Sequence, residues 1–137
     1  MTKILIIDDE RPIRETLEMF LCEKGYDVTT SESGETALEL IRKNQPDIVI
    51  LDLRLPGIDG IEVLRIIKQL SPRSVVIVIT AYHDKEIYDQ AESLGACGYI
   101  VKPIDVAEFE VTIDKAVRSQ RNGHQGKGGG VVKTSQN

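Results

Sequence analysis

The 137-residue sequence has two cysteines, few aromatic side chains and no tryptophan. Cys22 and Cys97 are too few for a disulfide framework, so we expect both to be reduced packing residues. No apolar run approaches the ~20 residues of a membrane span, and the first residues lack the long apolar core of a signal peptide. These absences argue against a disulfide scaffold and a membrane protein, and we expect a cytoplasmic location.

Excess positive charge is also missing from most of the chain. The residues before Arg118 include 22 acidic and 13 basic side chains, which gives a net charge of −9 with neutral histidines. Direct binding of nucleic acid normally needs a basic face. We therefore expect no nucleic-acid contact from this part of the chain, and no membrane partner.

Apolar periodicity ends near Ser119. The segment Arg121–Asn137 holds five of the eleven glycines, and its aliphatic residues are limited to Val131 and Val132. Such a segment cannot bury enough apolar surface to fold by itself. We predict one domain over residues 1–118 and a flexible, glycine-rich tail or linker over 119–137.

Four apolar runs are each followed at once by polar residues. Near-continuous apolar runs are typical of strands that are buried on both faces of a parallel sheet. Since the carboxyl ends of parallel strands share one edge of the sheet, we expect the polar residues to form one pocket there. The runs and their polar residues are Ile4–Ile7 with Asp8-Asp9, Ile48–Leu51 with Asp52, Val75–Ile79 with Thr80, and Tyr99–Val101 with Lys102-Pro103.

Helical periodicity separates the predicted strands. Alternating strands and helices with short links predict an α/β, doubly wound parallel sheet of five strands with five helices. The second strand is the least apolar, which favours an edge position and the order 2-1-3-4-5. The fourth helix, near residues 83–94, has a thin apolar stripe, so it is a candidate moving part. The predicted strands lie near residues 3–8, 26–30, 47–52, 75–80 and 98–102.

The predicted pocket concentrates negative charge. Two carboxylates ~4 Å apart repel each other by about 4 kcal/mol at an effective dielectric constant near 20. Placing Asp8, Asp9 and Asp52 together therefore requires cations, of which Lys102 supplies one. Oxygen ligands without histidine or cysteine suit Mg²⁺, or Mn²⁺, better than zinc. The alternative for Asp8-Asp9 is a solvated turn that caps a helix.

The same pocket suits phosphoryl transfer. A carboxylate such as Asp52 beside a metal can attack phosphorus and form an acyl phosphate. This reaction needs positioning and charge neutralisation more than acid–base groups. The Lys102 ammonium can neutralise phosphate oxygens, and the Thr80 hydroxyl can donate a hydrogen bond to one.

These residues, in this order, resemble the receiver domain of two-component response regulators. The resemblance covers residues 1 to about 118 and implies a flavodoxin-like fold. It also implies transfer of a phosphoryl group from a sensor histidine kinase or phosphotransfer protein, with Mg²⁺. The residues that carry the resemblance are Asp8-Asp9, Asp52 within Leu51–Gly60, Thr80-Ala81 and Lys102-Pro103.

The resemblance assigns a role to each matching residue. Asp52 is implied as the phosphoacceptor, and the implied contacts of the phosphate are Thr80, the Ala81 backbone and Lys102. The implied metal ligands are Asp8, Asp9, Asp52 and the backbone carbonyl of Arg54, with Asp9 the closer of the acid pair.

The resemblance further implies a conformational switch and a cis peptide bond between Lys102 and Pro103. In the switch, Thr80 moves toward the phosphate and an aromatic side chain of the fifth strand, here Tyr99, turns inward. Tyr99 as an ordinary strand tyrosine is the alternative. Two further side chains at the pocket mouth, Arg54 and Tyr82, are expected to tune dephosphorylation and to give a long-lived phosphoryl state, unless they are ordinary exposed residues.

The sequence lacks residues that rival functions would require. An aspartate-nucleophile phosphatase would need an acid where Arg54 stands, and no G-x-G-x-x-G follows the first strand as a dinucleotide site requires. A phosphorylation-independent interaction module usually lacks a site residue, and none is missing here. We expect a signalling phosphoacceptor that promotes its own phosphorylation and dephosphorylation, rather than an enzyme.

The output of this domain is less defined by the sequence. We favour the N-terminal part of a transcriptional regulator, and the alternative is a stand-alone receiver that relays phosphate or docks to a partner protein. The fourth helix, fifth strand and fifth helix flank Thr80 and Tyr99, so this face is the expected surface for an output domain or partner. A homodimer is a further possibility.

Overall fold

A computed structural model describes residues 1–81 and 84–121 of the chain. In these residues, five parallel strands form one sheet in the order β2-β1-β3-β4-β5, and five helices alternate with them, which confirms the predicted fold class and strand order. The strands are β1 Lys3–Ile7, β2 Asp27–Ser31, β3 Ile48–Asp52, β4 Val75–Thr80 and β5 Gly98–Val101. The helices are α1 Arg11–Glu23, α2 Gly34–Lys43, α3 Gly60–Leu70, α4 Lys85–Ser93 and α5 Val106–Arg121.

The burial of each strand follows its composition. Every residue of β3 and β4 is buried, as expected for β-branched runs in the centre of a parallel sheet. The first four residues of β2 alternate between exposed and partly buried positions, its last residue Ser31 is buried, and the strand forms one edge of the sheet, beside β1. The lower apolar content of β2 is therefore consistent with an edge strand, which has a neighbouring strand on one side.

Two apolar layers enclose the sheet. One contains side chains of α1 and α5, with Phe20 and Phe109 in ring contact at a centroid distance of 5.8 Å. The other contains side chains of α2, α3 and α4. Within α4, Ala91 is buried while Ile87 is partly buried, so this helix is held by a thin apolar stripe, as its sequence predicts.

Helix starts also follow the sequence. The Asp59 carboxylate accepts a hydrogen bond from the Ile61 N–H at 3.2 Å, and Asp105 accepts one from the Glu108 N–H at 3.1 Å. Both acids satisfy backbone donors that lack partners inside the first helical turn. Each of these helices therefore begins next to an acidic residue that caps its first turn.

The prediction that Cys22 is a packing residue was wrong, and the predicted start of the tail at residue 119 falls inside the last helix. Cys22 is exposed on α1, whereas Cys97 is half-buried beside the α1 and α5 layer, and burial raises the pKa of its thiol. The helix α5 continues to Arg121, and the Gln120 amide donates a hydrogen bond to Asp47 Oδ1 at 3.0 Å. This contact holds the last turn against the sheet, so residues 119–121 belong to the helix. The rest of the predicted tail lies outside the described residues.

Among the helices that the structure describes, none combines the length and the apolar character needed to cross a bilayer. The predicted cytoplasmic location stays a prediction.

The start of α2 offers a test of helix capping. The Ser33 hydroxyl oxygen accepts a hydrogen bond from the Thr36 N–H at 3.2 Å. We expect Ser33→Ala to lower the free energy of unfolding by about 1 kcal/mol, measured by urea denaturation, because this N–H loses its partner. Ser93→Ala, at the end of α4, is the control and should change stability by less than ~0.5 kcal/mol. Equal stability of the two variants would contradict the capping role.

Candidate functional site

The polar residues that follow the strands come together at the carboxyl edge of the sheet. Asp8 follows β1, Asp52 ends β3, Thr80 ends β4, and Lys102 follows β5. Asp52 lies in register with Ile79, which precedes Thr80. Asp8, Asp52 and Thr80 are each at most 1% exposed. The structure therefore places buried polar groups where the sequence predicted one pocket.

Lys102 is the central cation of this pocket. Its Nζ lies 3.0 Å from Asp52 Oδ2, 3.1 Å from Asp8 Oδ2 and 3.7 Å from Glu10 Oε2. Burial alone would lower the pKa of the ammonium, but the hydrogen bond to Asp52 and the charges of Asp52 and Asp8 outweigh burial and raise this pKa. Lys102 is consequently a fixed positive charge at the end of the sheet.

One positive charge does not compensate the acids completely. Burial raises the pKa of Asp8 from 3.8 to about 6. The Glu10 N–H, which donates to Asp8 Oδ1 at 2.8 Å, and the Lys102 ammonium oppose this rise, while the charge of Asp52 adds to it. Asp8 is therefore held in a place that disfavours its charged form.

The acidic groups fit a divalent cation. One carboxylate oxygen each from Asp8, Asp9 and Asp52 lies within 4.8 Å of the other two. The buried Asp8 Oδ2 lies 3.1 Å from Lys102 Nζ, which it shares with Asp52. A hard cation that prefers oxygen would offset the negative charge that Lys102 leaves uncompensated. Asp9 is exposed and borders the entrance.

Hydrogen bonds to neighbouring residues hold Asp8 and Asp52 in place. The Asp8 N–H donates to the Ser31 carbonyl at 3.1 Å, and the Asp8 carbonyl accepts a hydrogen bond from Arg14 Nη1 at 2.8 Å. Asp52 Oδ1 accepts a hydrogen bond from the Arg54 N–H at 2.9 Å. Both acids are thus oriented by the chain around them, independently of any bound ion.

The loop after Asp52 is held close to the start of α3. A Cβ atom added at Gly60 would overlap the carbonyl oxygen of Leu53, so only glycine allows this approach. Gly57, with a φ of +83°, occupies the left-handed region in the same loop. These two glycines let the chain turn back directly after the buried acid.

Sequence reasoning missed two residues of the site, Glu10 and Arg14. Glu10 continues the acid pair and was not assigned a contact with Lys102. Arg14 is a cation beside the apolar stripe of α1, and its side chain is 16% exposed. The partial burial that distinguishes Arg14 is a property of the folded chain, so the sequence carries no clear signal for this contact.

Thr80 and Tyr99 lie on one face of the sheet. Tyr99 is in register with Val78, and residues two apart in a strand share a face, so Thr80 lies diagonally across from Tyr99. Tyr99 is 3% exposed, and its ring lies edge-on to that of Tyr88 in α4 at a centroid distance of 5.0 Å. The end of β4 is therefore linked through Tyr99 to α4.

The remaining predicted residues have mixed outcomes. The peptide bond between Lys102 and Pro103 is cis, as the resemblance implied. Arg54 and Ala81 are exposed in the loops that follow β3 and β4. Tyr82, predicted to tune dephosphorylation, lies outside the described residues.

A doubly wound α/β domain with clustered acids and a lysine at its carboxyl edge defines a class of domain suited to phosphate and divalent-metal chemistry. The sequence profile of the response regulator receiver domain matches residues 4–114, and the chain belongs to this family.

Individual relatives agree with this assignment. The chain is 35% identical to sporulation initiation phosphotransferase F of Bacillus subtilis over 120 residues, which is 88% of this chain and 97% of that protein. It is 38% identical to the DNA-binding transcriptional regulator NtrC of Klebsiella pneumoniae over 112 residues, which is 82% of this chain and 24% of that protein. The chain thus spans about a quarter of the length of this larger regulator.

Solved structures show the same fold. A response regulator receiver domain protein from Methanospirillum hungatei superposes with a TM-score of 0.86 at 26% identity, covering 89% of this chain and 98% of that one. NtrX from Brucella abortus superposes with a TM-score of 0.82 at 29% identity, covering 89% of this chain and 28% of that one.

Proposed function

We propose that Asp52 accepts a phosphoryl group in a reaction that depends on Mg²⁺ or Mn²⁺, and that the domain thereby switches a downstream output. The observation that carries this proposal is the buried Asp52 carboxylate, held 3.0 Å from Lys102 and beside two further acids. An arrangement this acidic is costly unless a cation offsets its charge. Phosphoryl transfer needs the same two things, positioned groups and neutralisation of negative charge. The membership of the chain in the receiver family supports the same chemistry.

The proposed reaction is an in-line displacement at phosphorus. An Asp52 carboxylate oxygen forms the new bond to phosphorus, and the bond to the donor breaks; for a phosphohistidine donor, the imidazole nitrogen leaves with the electron pair. The Arg54 N–H holds Asp52 Oδ1, which orients the carboxylate for attack. The Lys102 ammonium then binds a phosphoryl oxygen, together with the Thr80 hydroxyl and the Ala81 N–H.

Asp8, Asp9, Asp52 and the Arg54 carbonyl would hold the metal. When bound, Mg²⁺ would neutralise the negative charge of the phosphoryl oxygens during transfer. The close approach of the three carboxylates and the raised pKa of Asp8 support this ligand set.

The proposed switch couples Thr80 to Tyr99. Phosphoryl oxygens on Asp52 would draw the Thr80 hydroxyl toward them, which changes the space next to Tyr99 on the same face of the sheet. Tyr99 packs against Tyr88 of α4, a helix held by a thin apolar stripe. The domain would then have two arrangements of Thr80 and Tyr99, one with Thr80 turned toward the phosphoryl group and one without this contact. Because the phosphoryl group contacts only the first directly, it can shift the population toward that arrangement.

The face formed by α4, β5 and α5 is the proposed surface for an output domain or partner, since it contains Tyr99 and its contact in α4. We propose a regulator of transcription as the output, in line with the similarity to NtrC. A stand-alone receiver that relays phosphate is the second candidate, supported by the match to 97% of the sporulation phosphotransferase. A sensor histidine kinase or a phosphotransfer protein is the proposed donor.

Arg54 and Tyr82 are proposed to restrict the water that hydrolyses the acyl phosphate. Arg54 is exposed in the loop directly after Asp52, where a long side chain can cover the pocket mouth. The domain would in this way influence both the gain and the loss of its own phosphoryl group.

Incubation with acetyl phosphate tests the proposed function. We expect intact-mass spectrometry to show the gain of one phosphoryl group in the presence of Mg²⁺ and none after chelation, because the phosphoryl charge then lacks its counter-ion. Restoring Mg²⁺ to the chelated sample should restore the gain. An equal gain with and without Mg²⁺, or no gain in either case, would contradict the proposal.

A further inference from the structure

Glu10 is an additional acid at the mouth of the pocket, and it shares Lys102 with the buried acids. Glu10 Oε2 lies 3.7 Å from Lys102 Nζ, and the Glu10 side chain is 57% exposed. Among the described residues, Lys102 is the cation that forms an ion pair with Glu10. The Lys102 ammonium therefore faces one exposed carboxylate as well as two buried ones.

The chain fixes Glu10 in this place. Glu10 precedes α1 as its N-cap residue, and its carbonyl accepts hydrogen bonds from the N–H groups of Ile13 and Arg14, each at 3.1 Å. Its own N–H donates to Asp8 Oδ1 at 2.8 Å. Lys102 Nζ lies 3.7 Å from Glu10 Oε2 and 3.0 Å from Asp52 Oδ2. The two carboxylate oxygens are therefore at most about 7 Å apart.

We propose that Glu10 is a specificity residue that disfavours small dianionic phosphodonors at Asp52. This inference rests on the proposed function. A phosphodonor such as acetyl phosphate brings its charge within a few ångströms of the Glu10 carboxylate and competes with it for Lys102. The repulsion between like charges at this distance slows the approach of a dianion more than that of a monoanion. A protein donor can place basic side chains against the exposed side of Glu10, which offsets the repulsion.

The substitution Glu10→Gln removes the charge and keeps the shape. At low ionic strength and saturating Mg²⁺, we expect the initial rate of phosphorylation by acetyl phosphate to rise roughly threefold to tenfold. With phosphoramidate, which carries about one negative charge less at pH 7, the rise should be smaller. At 0.5 M salt, the rise with acetyl phosphate should shrink to less than about twofold, because salt screens exposed charges.

Glu15→Gln is the matched control. Glu15 lies in α1 and is about as exposed as Glu10, with a side-chain exposure of 58%, but its carboxylate pairs with Arg11 at 2.7 Å. Glu15→Gln changes the net charge by the same amount as Glu10→Gln. It should leave the rates of phosphorylation by acetyl phosphate and by phosphoramidate within about 1.5-fold of wild type.

The outcomes separate this inference from the proposed function. If wild type gains a phosphoryl group and Glu10→Gln has the wild-type rate at low salt, the specificity role is wrong while the proposed function stands. A rise that is equal for both donors, or that persists unchanged at high salt, would likewise overturn the electrostatic role. If wild type gains no phosphoryl group, the proposed function itself fails.

Discussion

Replacing Asp52 with asparagine is expected to reduce the phosphoryl gain from acetyl phosphate by at least about 100-fold, because a neutral amide oxygen is a far weaker nucleophile than a carboxylate. The variant should still fold. The amide oxygen can continue to accept the hydrogen bond that the Arg54 N–H makes to Asp52 Oδ1. Loss of the Asp52 charge also removes its repulsion of Asp8, one cause of the raised pKa of Asp8.

Intact-mass spectrometry measures the phosphoryl gain of the variant, and urea denaturation measures its free energy of unfolding. We expect no phosphoryl gain in Asp52→Asn and a free energy of unfolding within about 1 kcal/mol of wild type. Asp59→Asn is the matched control, since Asp59 is an exposed acid in the loop that follows and caps α3. Asparagine caps helices as well as aspartate does, so this variant should keep both stability and the phosphoryl gain.

A phosphoryl group on Asp52→Asn would show that another residue is the acceptor. Asp8 and Asp9 are the nearest alternatives, and fragmentation of the modified chain would distinguish them. Asp9 is the exposed member of the acid pair, so it would be the first position to examine.

Much of the fold follows from two periodicities in the sequence. Apolar runs without alternation, such as Ile48–Leu51, predict central strands, while the polar alternation of β2 predicts an edge. Because all strands are parallel, the residues after them must meet at one edge of the sheet. The meeting of Asp8, Asp52 and Lys102 could therefore be predicted from order along the chain alone.

Other features of the structure depend on side-chain geometry, which the periodicity of the sequence does not specify. Cys22 adjoins the buried Leu21, but a step of one residue turns about 100° around a helix, which places Cys22 in solvent. The contacts of Glu10 with Lys102 and of Arg14 with the Asp8 carbonyl depend on rotamers near the start of α1. The last turn of α5 likewise depends on one contact between Gln120 and Asp47.

Replacing Lys102 with methionine should destabilise the fold more than either Asp52→Asn or Ser33→Ala. Methionine keeps the length of the side chain but leaves Asp8 and Asp52, which are at most 1% exposed, without their shared cation. Breaking a buried ion pair by removing one partner typically costs several kcal/mol. In a chelating buffer at pH 8, we expect the free energy of unfolding to fall by about 2–4 kcal/mol.

This loss should depend on pH in a defined direction. The pKa of Asp8 in the folded protein is about 6, above its ordinary value of 3.8, so protonated Asp8 favours folding. That contribution is fully present below pH ~4 and is lost as the pH rises through 6. Without Lys102 the pKa of Asp8 should rise further, so the variant should lose less stability at pH 5 than at pH 8.

Urea denaturation of wild type and Lys102→Met at both pH values measures the difference. Lys85→Met is the matched control, because Lys85 is 86% exposed and pairs with Asp89 at the surface. Its stability should stay within ~0.5 kcal/mol of wild type at either pH, since exposed ion pairs contribute little. Equal stability of Lys102→Met and wild type at pH 8 would mean that Lys102 does not compensate the buried acids. A loss that is larger at pH 5 would contradict the raised pKa of Asp8, and with it the electrostatic basis of the metal site.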